Sequence, residues 1–193
     1  MMKKKEIIYR TILDDTMQKN QVFFTQLNLS KKLKFSLSTI NNALKPLEEI
    51  GAIEKKPRSF TISDIKKTLL FWASVRRLSK DIIYSTRSEN PVQKIESEMP
   101  AGVVFTAYSG YRIFFNEAPA DYSEVYAYAD SIEEVKERFP EKKGPKNLFI
   151  LQKDAFMPEK PAAPLPQIYV DLWNLKEWYA RDFLDSLEKR LFT

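Results

Sequence analysis

The chain has 193 residues, 44% hydrophobic and 13% aromatic, enough apolar mass to bury a sizeable core in two small domains. It contains no Cys and no His, which excludes disulfides, thiolate chemistry, zinc fingers, iron–sulfur centres and Ser-His or Cys-His catalysis. The net charge of +5 is unevenly spread: residues 1–90 hold 18 Lys+Arg against 9 Asp+Glu and residues 91–193 hold 13 against 17, so a basic half adjoins an acidic half and the two are expected to meet different partners.

No apolar run approaches the roughly 18 residues of a membrane helix, and the basic start, Met1 to Lys5, lacks the apolar segment of a secretion signal. The expected location is the cytoplasm, with no membrane partner. Lys4–Lys19 reads as a first helix with Ile7, Ile8, Ile12 and Leu13 facing inward. Phe23 and Phe24 lead into a second helix, Thr25–Leu33, and Phe35 plugs the turn that follows.

Leu37, Ile40, Leu44, Leu47 and Ile50 recur at steps of three and four, the spacing of one buried stripe on a third helix. Ser36 is placed to cap it, Gly51 to close it through a positive φ, and Pro46 is its irregularity. The opposite face carries Ser38, Thr39, Asn41, Asn42 and Lys45. Such small and amide side chains fit a major groove: Asn pairs with an adenine edge, while hydroxyls and Lys reach phosphates or bases. Ala52–Glu54 and Phe60–Ile62 then read as two short strands joined by a turn, with Lys55, Lys56 and Arg58 at the tip beside a phosphate backbone or minor groove.

Two short helices, a tight turn and a basic hairpin are the order of parts in a winged helix-turn-helix. The expected ligand is double-stranded DNA, held by Ser36, Ser38, Thr39, Asn41, Asn42, Lys45, Lys55, Lys56 and Arg58. The alternative is a protein-binding or RNA-binding module whose basic tip is solvated surface. One recognition helix covers few base pairs, so binding as a dimer or as adjacent monomers on repeated half-sites is expected.

Ser63 or Asp64 caps a fourth helix to about Ser79, with Ile65, Leu69, Trp72, Val75 and Leu78 on its apolar stripe and Lys66, Lys67, Arg76 and Arg77 on the other side. The stripe is expected to pack within the chain, against the C-terminal domain, with a dimer seam as the alternative. Residues 1–83 make the first domain. Residues 84–98, polar and broken by Asn90-Pro91, read as a linker, and residues 99–193 as the second domain.

In that second domain Pro100–Phe115 reads as a helix, Ser123–Tyr128 as a strand, Ile132–Phe139 as a short helix and Leu148–Leu151 as a buried strand. Pro158–Pro166 is an extended connection. Gln167–Leu175 and Lys176–Phe192 are helical, the last with Trp178, Phe183, Leu184, Leu187 and Leu191 inward. The expected fold class is α+β: an N-terminal winged helix-turn-helix followed by a small α+β C-terminal domain.

Tyr108, Tyr111, Tyr126, Tyr128 and Trp173 are either the core of this small domain or a pocket for stacking on a base, with a rim where Arg112 and Asp171 meet a partner protein. Metal-dependent nucleotidyl transfer needs converging carboxylates, commonly a D-x-D after a Gly-Ser turn. Here Ser109-Gly110 stands in the reverse order, Glu124 and Asp130 do not form that pair, and with only 4 Gly there is no phosphate loop. No catalytic residue, metal ligand or cofactor is assigned, and an enzyme is not expected.

The stretches T-A-Y-S-G-Y-R (106–112), A-D-Y-S-E-V-Y-A-Y-A-D (120–130) and P-L-P-Q-I-Y-V-D-L-W-N-L (164–175), followed by a closing helix, resemble the C-terminal domain of AbiEi-type antitoxins and transcriptional regulators. The resemblance covers nearly the whole chain. It implies an N-terminal winged helix that binds the operator of its own toxin–antitoxin operon, and a C-terminal antitoxin domain related in shape to nucleotidyltransferases. The implied protein partner is a nucleotidyltransferase-like toxin. The N-terminal half is also similar to MarR-type winged helices, which leaves a stand-alone regulator open. A nucleic-acid-binding nucleotidyltransferase-like enzyme is the alternative of a different class.

Overall fold

In the computed structural model, which describes residues 2–192, the chain folds as two units, residues 2–76 and 77–192. The first begins with α1 (Lys4–Lys19), β1 (Phe23–Thr25), α2 (Gln26–Leu33) and α3 (Leu37–Glu49), and continues with β2 (Ile53–Lys55), β3 (Ser59–Ile62) and α4 (Ile65–Val75). Ile7, Ile8, Ile12 and Leu13 are buried on α1, as their spacing requires. Polar bonds fix the neighbouring helices to α1. Tyr9 donates its hydroxyl hydrogen to the Ala43 carbonyl of α3 at 2.8 Å, and Asp15 accepts from Lys32 of α2 at 2.5 Å and from Lys19 at 2.6 Å.

Burial disfavours a charged Asp15, but its hydrogen bonds from Lys19 and Lys32 outweigh that cost and hold the carboxyl below its ordinary value. A depressed pKa contributes stability that is present above the unfolded-state value and is lost as pH falls through the folded-state value. Asp15→Asn is therefore expected to cost about 1 kcal/mol or less near neutral pH, because both lysines are largely exposed and screened. Denaturation of wild type and variant at pH 7 and pH 3 checks this: the difference must shrink at the lower pH, and a gap that persists there contradicts the assignment.

Phe23 and Phe24 form a strand of their own. The sheet has the order β1-β3-β2 with both pairs antiparallel, and Phe24 opposes Phe60 with rings stacked at 5.4 Å. Aromatic residues suit a pleated surface, yet the pairing depends on β3, far along the chain. Asp64 caps α4, which packs on α1 and ends at Val75, short of the expected Ser79. Arg76, assigned to the exposed cationic side, is instead buried and paired with Glu6 at 3.0 Å, its extended backbone turning it out of the helical pattern.

The second unit contains β4 (Ile82–Thr86), α5 (Val92–Glu98), β5 (Val104–Thr106), α6 (Ala107–Phe115) and β6 (Val125–Ala129), then α7 (Glu133–Arg138), β7 (Leu148–Gln152), α8 (Leu165–Trp173) and α9 (Ala180–Phe192). Its sheet runs β4-β7-β6-β5, with β6 and β7 parallel and the outer pairs antiparallel. Val125, Ala127 and Ala129 share a core with Ile95 and Met99 of the α5 region and Val135 and Phe139 of the α7 region. Tyr126 and Tyr128 alternate to the other face, where Tyr108 of α6 lies 6.3 Å from Tyr126. Among the described residues the chain is thus a mixed α and β protein of nine helices and two small sheets.

Three sequence expectations fail here. The supposed linker, 84–98, is part of the second unit: Tyr84 to Thr86 pair with β7, and Ile95 of α5 is fully buried. Its polar residues look like surface but several are buried with partners farther along the chain: Thr86 donates to the Pro140 carbonyl at 2.9 Å, Ser88 N–H donates to Asn147 at 2.8 Å, and Glu96 pairs with Arg112. The boundary between units accordingly falls after Arg76. Pro100–Phe115 is not one helix, because Val104, Phe105 and Thr106 prefer a pleated strand and the chain turns into α6 at Ala107 with φ +51°. Trp178, expected inward, is 79% exposed, because residues 176–179 precede α9 and do not extend its apolar stripe.

The stretches that carry the family resemblance meet inside this unit. Asp171 of α8 accepts from Thr106 Oγ1 at 2.8 Å, from the Tyr128 hydroxyl at 2.6 Å and from Gln167 Nε2 at 3.0 Å. All four residues are fully buried. Gly110 completes the contact, since a Cβ there would stand 2.9 Å from the Phe105 carbonyl oxygen and 3.2 Å from Ile168.

Candidate nucleic-acid interface

The helix α3 is terminated at both ends by residues that its sequence supplies. Ser36 Oγ accepts from the Thr39 backbone N–H at 3.1 Å, and the Ser36 and Thr39 hydroxyls lie 2.9 Å apart. At the other end Gly51, at φ +67°, lets its own N–H reach the Glu48 carbonyl at 2.9 Å while Ala52 N–H reaches Leu47 at 2.8 Å. This is the paired-bond closure that a left-handed residue permits. Pro46 is accommodated on the half-buried flank of α3 and offers no N–H to the Asn42 carbonyl.

Ile40, Ala43, Leu44 and Leu47 form the buried side of α3. Ser38, Asn42 and Lys45, at steps of four and three, line its exposed side, with Asn41 and Thr39 half-buried on the two flanks. Ser36 is exposed, but its hydroxyl and that of Thr39 engage each other in the cap. Two residues assigned to the buried stripe are not in it: Leu37 is 50% exposed and Ile50 38% exposed. Each sits at a helix end, where the stripe runs past the core that it would cover.

The three hairpin cations do not act alike. Lys56 and Arg58 are exposed in the turn between β2 and β3, closed by a bond from Lys56 N–H to the Ser59 carbonyl at 2.8 Å. Lys55 turns back, its ammonium 3.0 Å from Glu48 of α3 and its side chain only 16% exposed. It joins hairpin to helix and is poorly placed for a phosphate, which corrects its assignment as a tip residue. Lys31 and Lys34, exposed at and just after the end of α2, were left out of the predicted set. The K-K-L-K run, which ends two residues before the Ser36 cap, was the available signal.

The expected partner rim in the second unit does not form. Asp171 is fully enclosed by the network described above, and Arg112 pairs elsewhere, with Glu96 at 2.5 Å and the Tyr122 hydroxyl at 3.0 Å. Charged side chains beside an aromatic cluster read as a rim, whereas α6 and α8 pack on each other and enclose the carboxylate. Tyr108, Tyr111, Tyr126 and Tyr128 are core residues, while Trp173 is 43% exposed and stands apart from them. Burial, with Glu177 adding to it, pushes the Tyr108 and Tyr126 hydroxyls well above the ordinary tyrosine range, so both stay protonated.

Comparison with protein-family models, curated proteins and solved structures finds no match for the chain. Among the described residues no cluster of three or more Asp or Glu is arranged to hold a metal ion, and no helix is long and apolar enough to cross a membrane.

Proposed function

We propose that residues 2–76 are a winged helix-turn-helix that binds double-stranded DNA, and that the protein is a cytoplasmic transcriptional regulator. In this reading it is an AbiEi-like antitoxin that represses its own operon, while its second unit engages another protein, a nucleotidyltransferase-like toxin. The observation that carries the DNA reading is the solvent-exposed row Ser38, Asn42 and Lys45 on a helix capped at Ser36, with Lys56 and Arg58 exposed on the antiparallel hairpin that follows. A groove-filling helix and a flanking cationic loop are what base contact and phosphate contact require. The antitoxin part rests on the family resemblance, and a nucleotidyltransferase-like open reading frame beside the gene would support it.

Gel-shift titrations against salt test the reading. Asn41→Ala with Asn42→Ala is expected to lower the preference for the cognate duplex over random duplex. Lys56→Ala with Arg58→Ala should weaken binding to both and reduce the log–log salt slope by up to about 2, roughly one for each lost phosphate contact. Lys55→Ala should change the slope least. No shift at low ionic strength would end the proposal, and an unchanged slope in the double variant would remove the hairpin from it.

A further inference from the structure

We infer that Leu37 is a specificity residue of the DNA surface that reads the 5-methyl group of a thymine. The inference rests on the proposal that α3 enters the major groove and goes one step beyond it. Leu37 is the first residue of α3 and is half exposed, flanked by the exposed Ser36 and Ser38. The apolar stripe of the helix begins in earnest only at Ile40, so this leucine lies outside the core of its own unit. The leading turn of a recognition helix is the part whose side chains reach base edges. There the one apolar feature that a base pair presents is the thymine methyl.

The neighbour on the same flank sharpens the expectation. Asn41 stands four residues on, about 6 Å along the helix axis, and an Asn amide matches the N6 and N7 edge of adenine. With base pairs about 3.4 Å apart, the thymine read by Leu37 should lie within about two base pairs of the adenine read by Asn41.

The test begins with duplexes enriched from a random pool by the full-length protein, resynthesised with deoxyuridine in place of each thymidine in turn. Wild type is expected to lose about fourfold in affinity at one such position, the effect of withdrawing one buried methyl group. Leu37→Ala should be indifferent to that replacement, and Leu37→Met should keep the discrimination. Equal melting temperatures of the variants confirm that an exposed position has been changed. Wild type unmoved by every replacement, or Leu37→Ala retaining the fourfold loss, overturns the inference while leaving DNA binding intact. Absence of any shift at low ionic strength overturns the DNA reading and this inference with it.

Discussion

Replacing Glu6 by alanine is expected to remove about 3–5 kcal/mol from the stability of the N-terminal unit, far more than a surface ion pair would contribute. The carboxylate meets the Arg76 guanidinium at 3.0 Å, with side chains only 4% and 1% exposed. Both groups have been taken out of water, and the charged hydrogen bond between them offsets part of the solvation that each has lost. Deleting the carboxylate takes this counter-charge away from a buried guanidinium, and that penalty exceeds the modest net value of the intact pair. Salt should change the effect little, because screening acts weakly on buried charges. Glu6→Gln should cost less, since an amide retains an acceptor for the guanidinium. Replacing both residues by apolar side chains should recover much of the loss. Trp72 is fully buried in this unit, so its emission, read after Trp173 and Trp178 are changed to Phe, reports the unfolding directly. A loss below about 1 kcal/mol would mean that the pair behaves like an exposed one.

Asp171→Ala is expected to destabilise the C-terminal unit on a similar scale, about 3–5 kcal/mol. Its carboxylate is the shared acceptor for Thr106, Tyr128 and Gln167, and losing a buried hydrogen bond of this kind costs about 1–3 kcal/mol, with less than full additivity because the three sit in one network in which Gln167 Nε2 also reaches the Tyr128 hydroxyl at 3.0 Å. Asp171→Asn should fall between, since an amide presents a donor where a carboxylate oxygen accepts. Denaturant unfolding followed by Trp173 and Trp178, with Trp72 changed to Phe, measures the loss. A variant that keeps wild-type stability but no longer binds a protein partner would return Asp171 to the surface role that its burial argues against.

The candidate interface was largely legible in the chain. Ser36 before an apolar stripe, Gly51 after it, and Lys56 and Arg58 around a proline turn are local signals, each acting within a few residues, and local steric and hydrogen-bonding preferences suffice to place them. Lys55 misled for the opposite reason. Its orientation is set by Glu48, a residue on another element, and nothing in a turn sequence says which cation will find an acid. Leu37 misled because periodicity reports which side of a helix is apolar but not how far the core extends beneath it.

The same division runs through the whole molecule. Composition, charge asymmetry, the helix caps and the alternation of Val125, Tyr126, Ala127 and Tyr128 follow from the sequence alone, because each depends on side-chain chemistry or on neighbours a few positions away. Tertiary structure alone decided that β1 pairs with β3, that Tyr84 to Thr86 join a sheet through β7, that Arg76 is buried against Glu6, and that Asp171 is an interior acceptor. Those outcomes depend on groups tens of residues apart meeting where water is excluded, and there a polar residue that looks like surface in one dimension is stabilised by a partner that only the folded chain brings to it.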